Sequence, residues 1–389
     1  MNILLISRGY PSNRDVQWGC FERDQAKALQ KLGHTVTVMS IDGRFRLYKR
    51  RLGITQISDD GINVYNMFYC PFVILRLLGS KFFLKVLSWQ TNRLYEEVKK
   101  REIPDVIYAH YLTNIYSAAI IKQHYNIPVV GIEHWSMLNR KLLPSYVSIM
   151  GNIGYRIADK LIAVSDSLKC NIYNHFGVNS IVIHNMIGEE FANRQIVDRK
   201  KIVSGKLNII ALGSLFYGKG YDILISAFAK TGLSKFGCKI TIVGEGGQRT
   251  KLQAQIDGLG LERSIRLVGQ KNKHEIIAIM DSCNLFIHPS RGENFSVAIL
   301  EGLASGLPVV ATLCGGAAQC INKKNGLLVP IDDIDQLEKA IRYMYEHIGE
   351  YDNMKISNDC LSKYSSVAIG RQIENVLNKV VNKNEVISC

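Results

Sequence analysis

Short apolar runs alternate with longer amphipathic stretches along this chain. That alternation predicts strands laid side by side in parallel, joined by helical crossovers. Asn2–Ser7 reads as a first strand, followed by a loop containing Pro11 and Gly19 and a helix from about Phe21 to Leu32, which Gly33 ends. Strands are expected at Thr35–Ser40, Val106–Ala109, Val129–Ile132, Leu161–Val164 and Ile181–Ile183, with Ser165 and Asp166 suited to capping a helix. A second series begins at Leu207–Leu212 and continues through Lys239–Val243, Ser264–Val268, Leu285–His288 and Val309–Ala311, with helices such as Tyr221–Thr231 and Val297–Ser305 between them. Two such series predict an α/β chain of two Rossmann-like, doubly wound domains facing across a cleft. Ligands are expected at the carboxyl ends of the strands.

The first domain is assigned residues 1–190 and the second residues 206–365. Between them, 191–205 is a polar, charge-rich linker without apolar periodicity, and 366–389 forms a final helix.

Composition adds limits. With 389 residues and 47% hydrophobic content the chain can bury large cores. Nine scattered cysteines, an odd number without a C-x-x-C pair, argue against a disulfide framework or structural zinc and fit a reduced cytoplasm. Met1–Ser7 lacks the basic start and the length of a secretory signal, and no run approaches the ~20 apolar residues of a membrane span. The net charge of +14 is uneven: 25 Lys and Arg stand against 16 Asp and Glu up to residue 199, and 23 against 18 beyond it. Such an excess attracts polyanions without naming which.

A dinucleotide oxidoreductase is the first guess for this fold class, and the glycines argue against it. In Gly244-Glu245-Gly246-Gly247 the third position of G-x-G-x-x-G is Arg249, and Gly9 and Gly19 are too far apart for the fingerprint. Pro289–Glu301 is more informative. It follows an expected strand, turns at Gly292, and enters a helix near Phe295–Val297, where free N–H groups and the helix dipole suit a diphosphate. Glu293 and Glu301 flank that point, and acceptor-only carboxylates suit the hydroxyls of a sugar and a ribose. Read alone, the pair is a solvated loop glutamate and a helix-surface glutamate. The residues around it change that reading.

Glutamate, seven residues, glutamate, then Gly302-Leu303-Ala304-Ser305-Gly306-Leu307-Pro308-Val309-Val310-Ala311 resembles the signature of the retaining glycosyltransferases of family four. The resemblance extends over essentially the whole chain: Ala158–Ser165, His184-Asn185, Lys219-Gly220, Gly315-Gly316 and Asn325–Val329 follow in the family's order. It implies a two-domain, metal-independent enzyme of the hexosyltransferase type, with a nucleotide-sugar as co-substrate and no cofactor. Glu301 would bind the ribose and Glu293 the donor sugar; Phe295, Ser296 and Val297 would offer backbone N–H groups; Lys219 would neutralise the departing diphosphate. Gly19 would let the first domain's backbone approach the donor, and His110 stands where the family has a histidine near the reacting sugar, with His134 a second candidate. The final helix would cross back onto the first domain. Three departures touch the donor pocket: Ser214 stands where many relatives have an arginine, Gln319 replaces a glutamate and Asn294 a glycine.

The basic excess concentrates in Arg44–Arg51 and in Phe68–Arg101, where Phe72, Leu75, Leu78, Phe82, Phe83, Leu87 and Trp89 interleave with Arg76, Lys81, Lys85 and Arg93. This suits either a core helix with a solvated basic face or an anionic bilayer surface. The second option predicts a peripheral protein at the inner face of the membrane and a glycan or lipid-linked acceptor, as in surface polysaccharide biosynthesis. The stretch carries no nucleic-acid motif, so nucleic acid is not an expected partner. Two rivals stay open: a nucleotide-sugar epimerase or hydrolase on the same fold, and a nonenzymatic membrane-associated binding protein.

Overall fold

The computed structural model describes residues 1–12, 15, 18–46, 51–197 and 205–387, with backbone only for 384–387. The chain divides into two compact units, Met1–His184 with Ile369–Cys389, and Asn185–Ala368. The division falls at His184, ahead of the expected boundary at 190. Much of the expected linker, residues 198–204, lies outside the described residues.

Among the described residues the first unit holds an eight-stranded sheet: β1 (Asn2–Ser7), β2 (Thr35–Ile41), β3 (Gly53–Asp59), β4 (Ile62–Phe68), β5 (Val106–His110), β6 (Val129–Glu133), β7 (Lys160–Ala163) and β8 (Ile181–Val182). Their spatial order is β3-β4-β2-β1-β5-β6-β7-β8. The strands thus run outward from β1 in both directions, as in a doubly wound sheet, except that the hairpin folds β3 back to the outside of β4. The central strands are near-continuous apolar runs because helices cover both faces of a parallel sheet. Ile3 to Ile6 are all buried, paired with Val36–Met39 on one side and Val106–Ala109 on the other.

The hairpin β3–β4 is antiparallel and forms an edge. Its turn is Asp60-Gly61, both at positive φ (49° and 86°), the backbone that Asp-Gly adopts in a two-residue hairpin. Helix Cys20–Lys31 begins one residue before the expected Phe21. The last helix, Ser366–Ile387, buries Ile369, Ile373 and Leu377 at helical spacing. From Ile369 onward it belongs to the first unit, where Gly370 lies close to Leu32 and Ala28, and Glu374 meets His34 Nε2 at 2.9 Å.

The second unit is a six-stranded sheet, order β11-β10-β9-β12-β13-β14, made of β9 (Asn208–Leu212), β10 (Lys239–Val243), β11 (Ile265–Leu267), β12 (Leu285–His288), β13 (Val309–Thr312) and β14 (Gly326–Val329). All of its pairings are parallel. Its core joins Ile209, Ile240, Leu285 and Val310 from the strands to Leu224, Phe228, Leu337 and Ile341 from the covering helices. Numbering runs outward from the β9/β12 pair, so the switch point of this sheet lies between those two strands. The chain is an α/β protein of two Rossmann-like domains. No helix among the described residues is long and apolar enough to cross a membrane.

Candidate functional site

The loops leaving β9 and β12 meet at the switch point of the second unit, where open parallel sheets hold their ligands. After β9 the chain makes a short 3-10 turn, Tyr217–Lys219, and Gly220 at φ 67° starts the next helix. After β12 it runs through Pro289–Ser296 into the helix Val297–Ala304. These two loops bring Lys219 and Glu293 together as an ion pair. On its other side, Glu293 Oε1 lies 3.4 Å from Nε2 of the buried His288. Burial pushes the Glu293 pKa up, but His288 and Lys219 outweigh it and hold the group at about 2. It is a carboxylate at any working pH.

The loop carrying Glu293 is fixed from below. Thr312 Oγ1 donates to the Ser290 carbonyl, and Gly316 N–H donates to the Asn294 carbonyl at 2.8 Å. Gly315, at φ 51°, is where the chain passes closest: a Cβ there would fall 1.9 Å from the Glu293 carbonyl oxygen, so only glycine fits.

Arg291 ties this loop to the Lys219 turn. Its backbone N–H donates to the Gly218 carbonyl at 2.8 Å, and Ser290 Oγ donates to the same oxygen at 3.0 Å. Its Nη1 donates to the Tyr217 carbonyl at 2.5 Å and to Asp222, Nη2 donates to Asp222, and Nε donates to Asp332. The guanidinium also stacks 3.9 Å over the Tyr217 ring. Every nitrogen is engaged, so Arg291 is a strut between the loops rather than a spare cation. It does not supply a free cation near the exposed Ser214.

The remaining donor-site candidates of this unit surround the pair. Ser296 is the N-cap of helix Val297–Ala304, and its own side chain caps nothing. The four N–H groups left over at the helix start therefore belong to Ser296, Val297, Ala298 and Ile299, overlapping the expected Phe295–Val297 at Ser296 and Val297. Phe295 is buried, with its ring 5.7 Å from Tyr364 and its carbonyl accepting from Asn185 Nδ2 at 2.9 Å. Its role is to anchor the turn. Glu301 is half-buried and lies one helical turn beyond Val297.

Gly19 and His110 belong to the first unit. Gly19 is the N-cap of helix Cys20–Lys31 at φ 78°, and a Cβ on it would meet the Gly9 carbonyl oxygen at 2.2 Å. His110 ends β5, is 1% exposed, and its Nε2 has no hydrogen-bond partner among the described residues. Burial, then the nearby His134 and Arg8, push its pKa well below the usual imidazole value, so it is neutral. His134 stacks on it at 5.5 Å. Glu133 is fully buried: it accepts from Tyr155 Oη at 2.5 Å and from the N–H groups of His134 and Trp135 at 2.8 Å. Those bonds hold it as part of the scaffold. His288, Arg291 and Arg8 carry no signal in the sequence, because their meaning arises only where loops from separate strands converge.

Comparison with known proteins agrees with this architecture. An uncharacterized glycosyltransferase of Haemophilus influenzae is 24% identical over 347 residues, 87% of this chain and 89% of that protein. A putative teichuronic acid biosynthesis glycosyltransferase of Bacillus subtilis, TuaC, is 26% identical over 90% of each chain. The crystal structure of Anabaena HepE in complex with UDP and glucose superposes with a TM-score of 0.71 at 22% identity, covering 97% of this chain and 100% of that one. Residues 23–191 match Glycosyltransferase Family 4 and residues 193–358 match Glycosyl transferases group 1. With both units matched in order, the chain belongs to the family-four glycosyltransferases.

Proposed function

We propose that this enzyme transfers a sugar from a nucleotide-sugar to a glycan or lipid-linked acceptor with retention of anomeric configuration and without a metal ion. The carrying observation is the Lys219–Glu293 pair beside the start of helix Val297–Ala304, at the switch point of the second unit. In the free protein the two charges satisfy each other. An ammonium has three donors, so Lys219 can keep Glu293 and take a phosphate oxygen as well, while the helix-start N–H groups take others. Together these groups stabilise the charge growing on the leaving diphosphate. Glu293, always ionised, accepts from a hydroxyl of the donor sugar and holds the ring in place. The bond from the anomeric carbon to the diphosphate oxygen breaks as the acceptor oxygen bonds to the same face, and the acceptor's proton passes to the leaving phosphate. Glu301 would take the ribose hydroxyls. Neutral His110, with Nε2 open, suits a sugar hydroxyl.

The UDP and glucose of HepE and the name of TuaC support this donor class and a role in cell-surface polysaccharide assembly. An exposed apolar and basic face around Phe72–Lys99 supports work at the inner surface of an anionic membrane as a peripheral protein.

A panel of nucleotide-sugars should raise the melting temperature for the true donor, by an amount set by its concentration over its Kd. Transfer from that donor should survive a chelator and give a product with the donor's anomeric configuration. Loss of activity with chelator and recovery with magnesium or manganese, or an inverted linkage, would overturn the reading.

A further inference from the structure

The first unit has a switch point of its own, between β1 and β5. Arg8 follows β1 there, and His110 with Tyr111 closes β5. The Arg8 guanidinium lies 3.6 Å from the Tyr111 ring and 4.7 Å from the Trp18 ring. One edge is tied, Nε donating to Glu22 Oε1 at 2.9 Å. Trp18 is held in turn, its indole N–H donating to the Arg8 carbonyl at 3.0 Å. It fits only because residue 9 is glycine: a Cβ on Gly9 would fall 2.1 Å from Trp18 Nε1.

Arg8 and Arg291 each lie within 4 Å of a tyrosine ring, closer than Arg76 at 5.3 Å from Tyr146, and they differ in one respect. Arg291, 3.9 Å over Tyr217, has all three nitrogens bonded within the protein. Arg8 has Nη1 and Nη2 without an acceptor among the described residues, on a side chain that is 28% exposed. Arg44 also covers Trp18, at 3.6 Å, but its guanidinium is committed to Asp15 and Asp42. Arg8 is therefore oriented by two aromatic rings and one edge while its other edge has no acceptor among the described residues. That is the geometry of a fork that grips an oxyanion through two parallel hydrogen bonds.

Three further features mark the place as a ligand site. Glu22, 1% exposed, has Oε2 without a partner, and His110 has its buried Nε2 without one. Buried polar atoms normally find partners, and these two lack them among the described residues. Tyr111, a bulky residue, is held at φ 67°, a strained backbone of the kind that collects at functional sites.

We infer that the open edge of Arg8 is a receptor for an oxyanion, a phosphate or carboxylate, carried by the acceptor, whose hydroxyls complete Glu22 and His110. The assignment to the acceptor rests on the transferase reading; the oxyanion site itself does not. It names the acceptor's chemistry: a polyhydroxylated group with a negative charge close to the hydroxyl that reacts.

Nuclear magnetic resonance on the full chain, with arginine side chains labelled with nitrogen-15, tests this. The Arg8 signals are assigned by their loss in Arg8→Lys. Methyl phosphate should shift the Arg8 Nη signals and leave those of Arg291 in place, with an affinity about tenfold above that of neutral methyl glucoside. The response should persist in Lys219→Ala. No response of Arg8, or an equal one to methyl glucoside, overturns the inference. So does a response to UDP alone that disappears in Lys219→Ala, which would assign the anion to the donor. A chain that binds no nucleoside diphosphate, yet still answers methyl phosphate at Arg8, sinks the transferase reading and leaves the oxyanion site standing.

Discussion

Lys219 and Glu293 neutralise one another across neighbouring loops of the second unit, and His288 steadies the carboxylate from its buried side. The lysine is thus held where a diphosphate would need it, before any ligand arrives. Lys219→Ala leaves no cavity and leaves Glu293 with His288 as a remaining partner, so the melting temperature should fall by only a few degrees. Turnover should fall by about 100-fold or more, the usual cost of losing one preorganised donor to a developing anion. A Lys219→Ala enzyme with near wild-type turnover would remove the lysine from the mechanism.

Arg291 predicts a second kind of defect. Lysine cannot reproduce a guanidinium that serves Asp222, Asp332 and the Tyr217 carbonyl together, so Arg291→Lys should loosen the turn that presents Lys219. Donor affinity should drop about tenfold, and a double-mutant cycle with Lys219→Ala should be strongly non-additive, since one residue acts through the other. Equal losses from Arg291→Lys with and without Lys219 would reduce Arg291 to a stability element.

The contrast between these residues shows what the sequence could carry. Strands such as Asn2–Ser7 and Leu285–His288 are legible to the residue, because a strand buried on both faces is an apolar run with sharp ends. The hairpin β3–β4 is not legible in this way. β3 is largely exposed at the sheet edge, so burial imposes no alternation on it, although Asp60-Gly61 was a usable turn signal. In the donor loop, Glu293 and Lys219 were visible through the family resemblance. The strut from Arg291 and the bond to His288 were not, because both depend on loops converging from β9 and β12.

Glu133 predicts a pH dependence of stability in the first unit. Burial raises its pKa to about 7 from 4.5, against the opposing hydrogen bonds of Tyr155, Trp135 and His134. Between those values the folded chain keeps a proton that the unfolded chain has lost. This group's contribution is therefore complete below pH 4.5 and is lost as pH rises through 7. Urea midpoints measured across that range should decline less steeply in Glu133→Gln than in the wild type. Parallel profiles for the two proteins would show that Glu133 is ionised throughout.

The last prediction concerns the face formed by the helices Phe72–Leu77 and Ser80–Lys99. The structure divides the interleaved residues of this stretch: Leu75, Phe83 and Leu87 enter the core, whereas Val73, Ile74, Phe82 and Trp89 face outward, with Leu77 83% and Leu78 63% exposed. Arg76, Lys81 and Lys85 are exposed among them. A neighbouring segment extends the face, since Ser80 Oγ meets Ser145 Oγ at 2.6 Å and Arg76 donates to Tyr146 Oη at 3.0 Å, next to Arg140, Lys141 and the 87% exposed Leu142. The expected basic run at 44–51 contributes less: Arg44 and Arg46 are paired with Asp15 and Asp42, and Lys49 and Arg50 lie outside the described residues. Contiguous apolar side chains with cations between them are costly in water and suit an anionic lipid surface, which takes the leucines into its boundary and the charges at its headgroups. Co-sedimentation with vesicles containing phosphatidylglycerol should therefore exceed that with phosphatidylcholine alone, and the excess should shrink with added salt. Leu77→Glu with Leu78→Glu should abolish binding at any salt concentration without changing the melting temperature, because neither side chain is packed. Lys81→Gln with Lys85→Gln should remove only the salt-sensitive part. Equal sedimentation of the wild type and both variants would show that this face does not meet the bilayer.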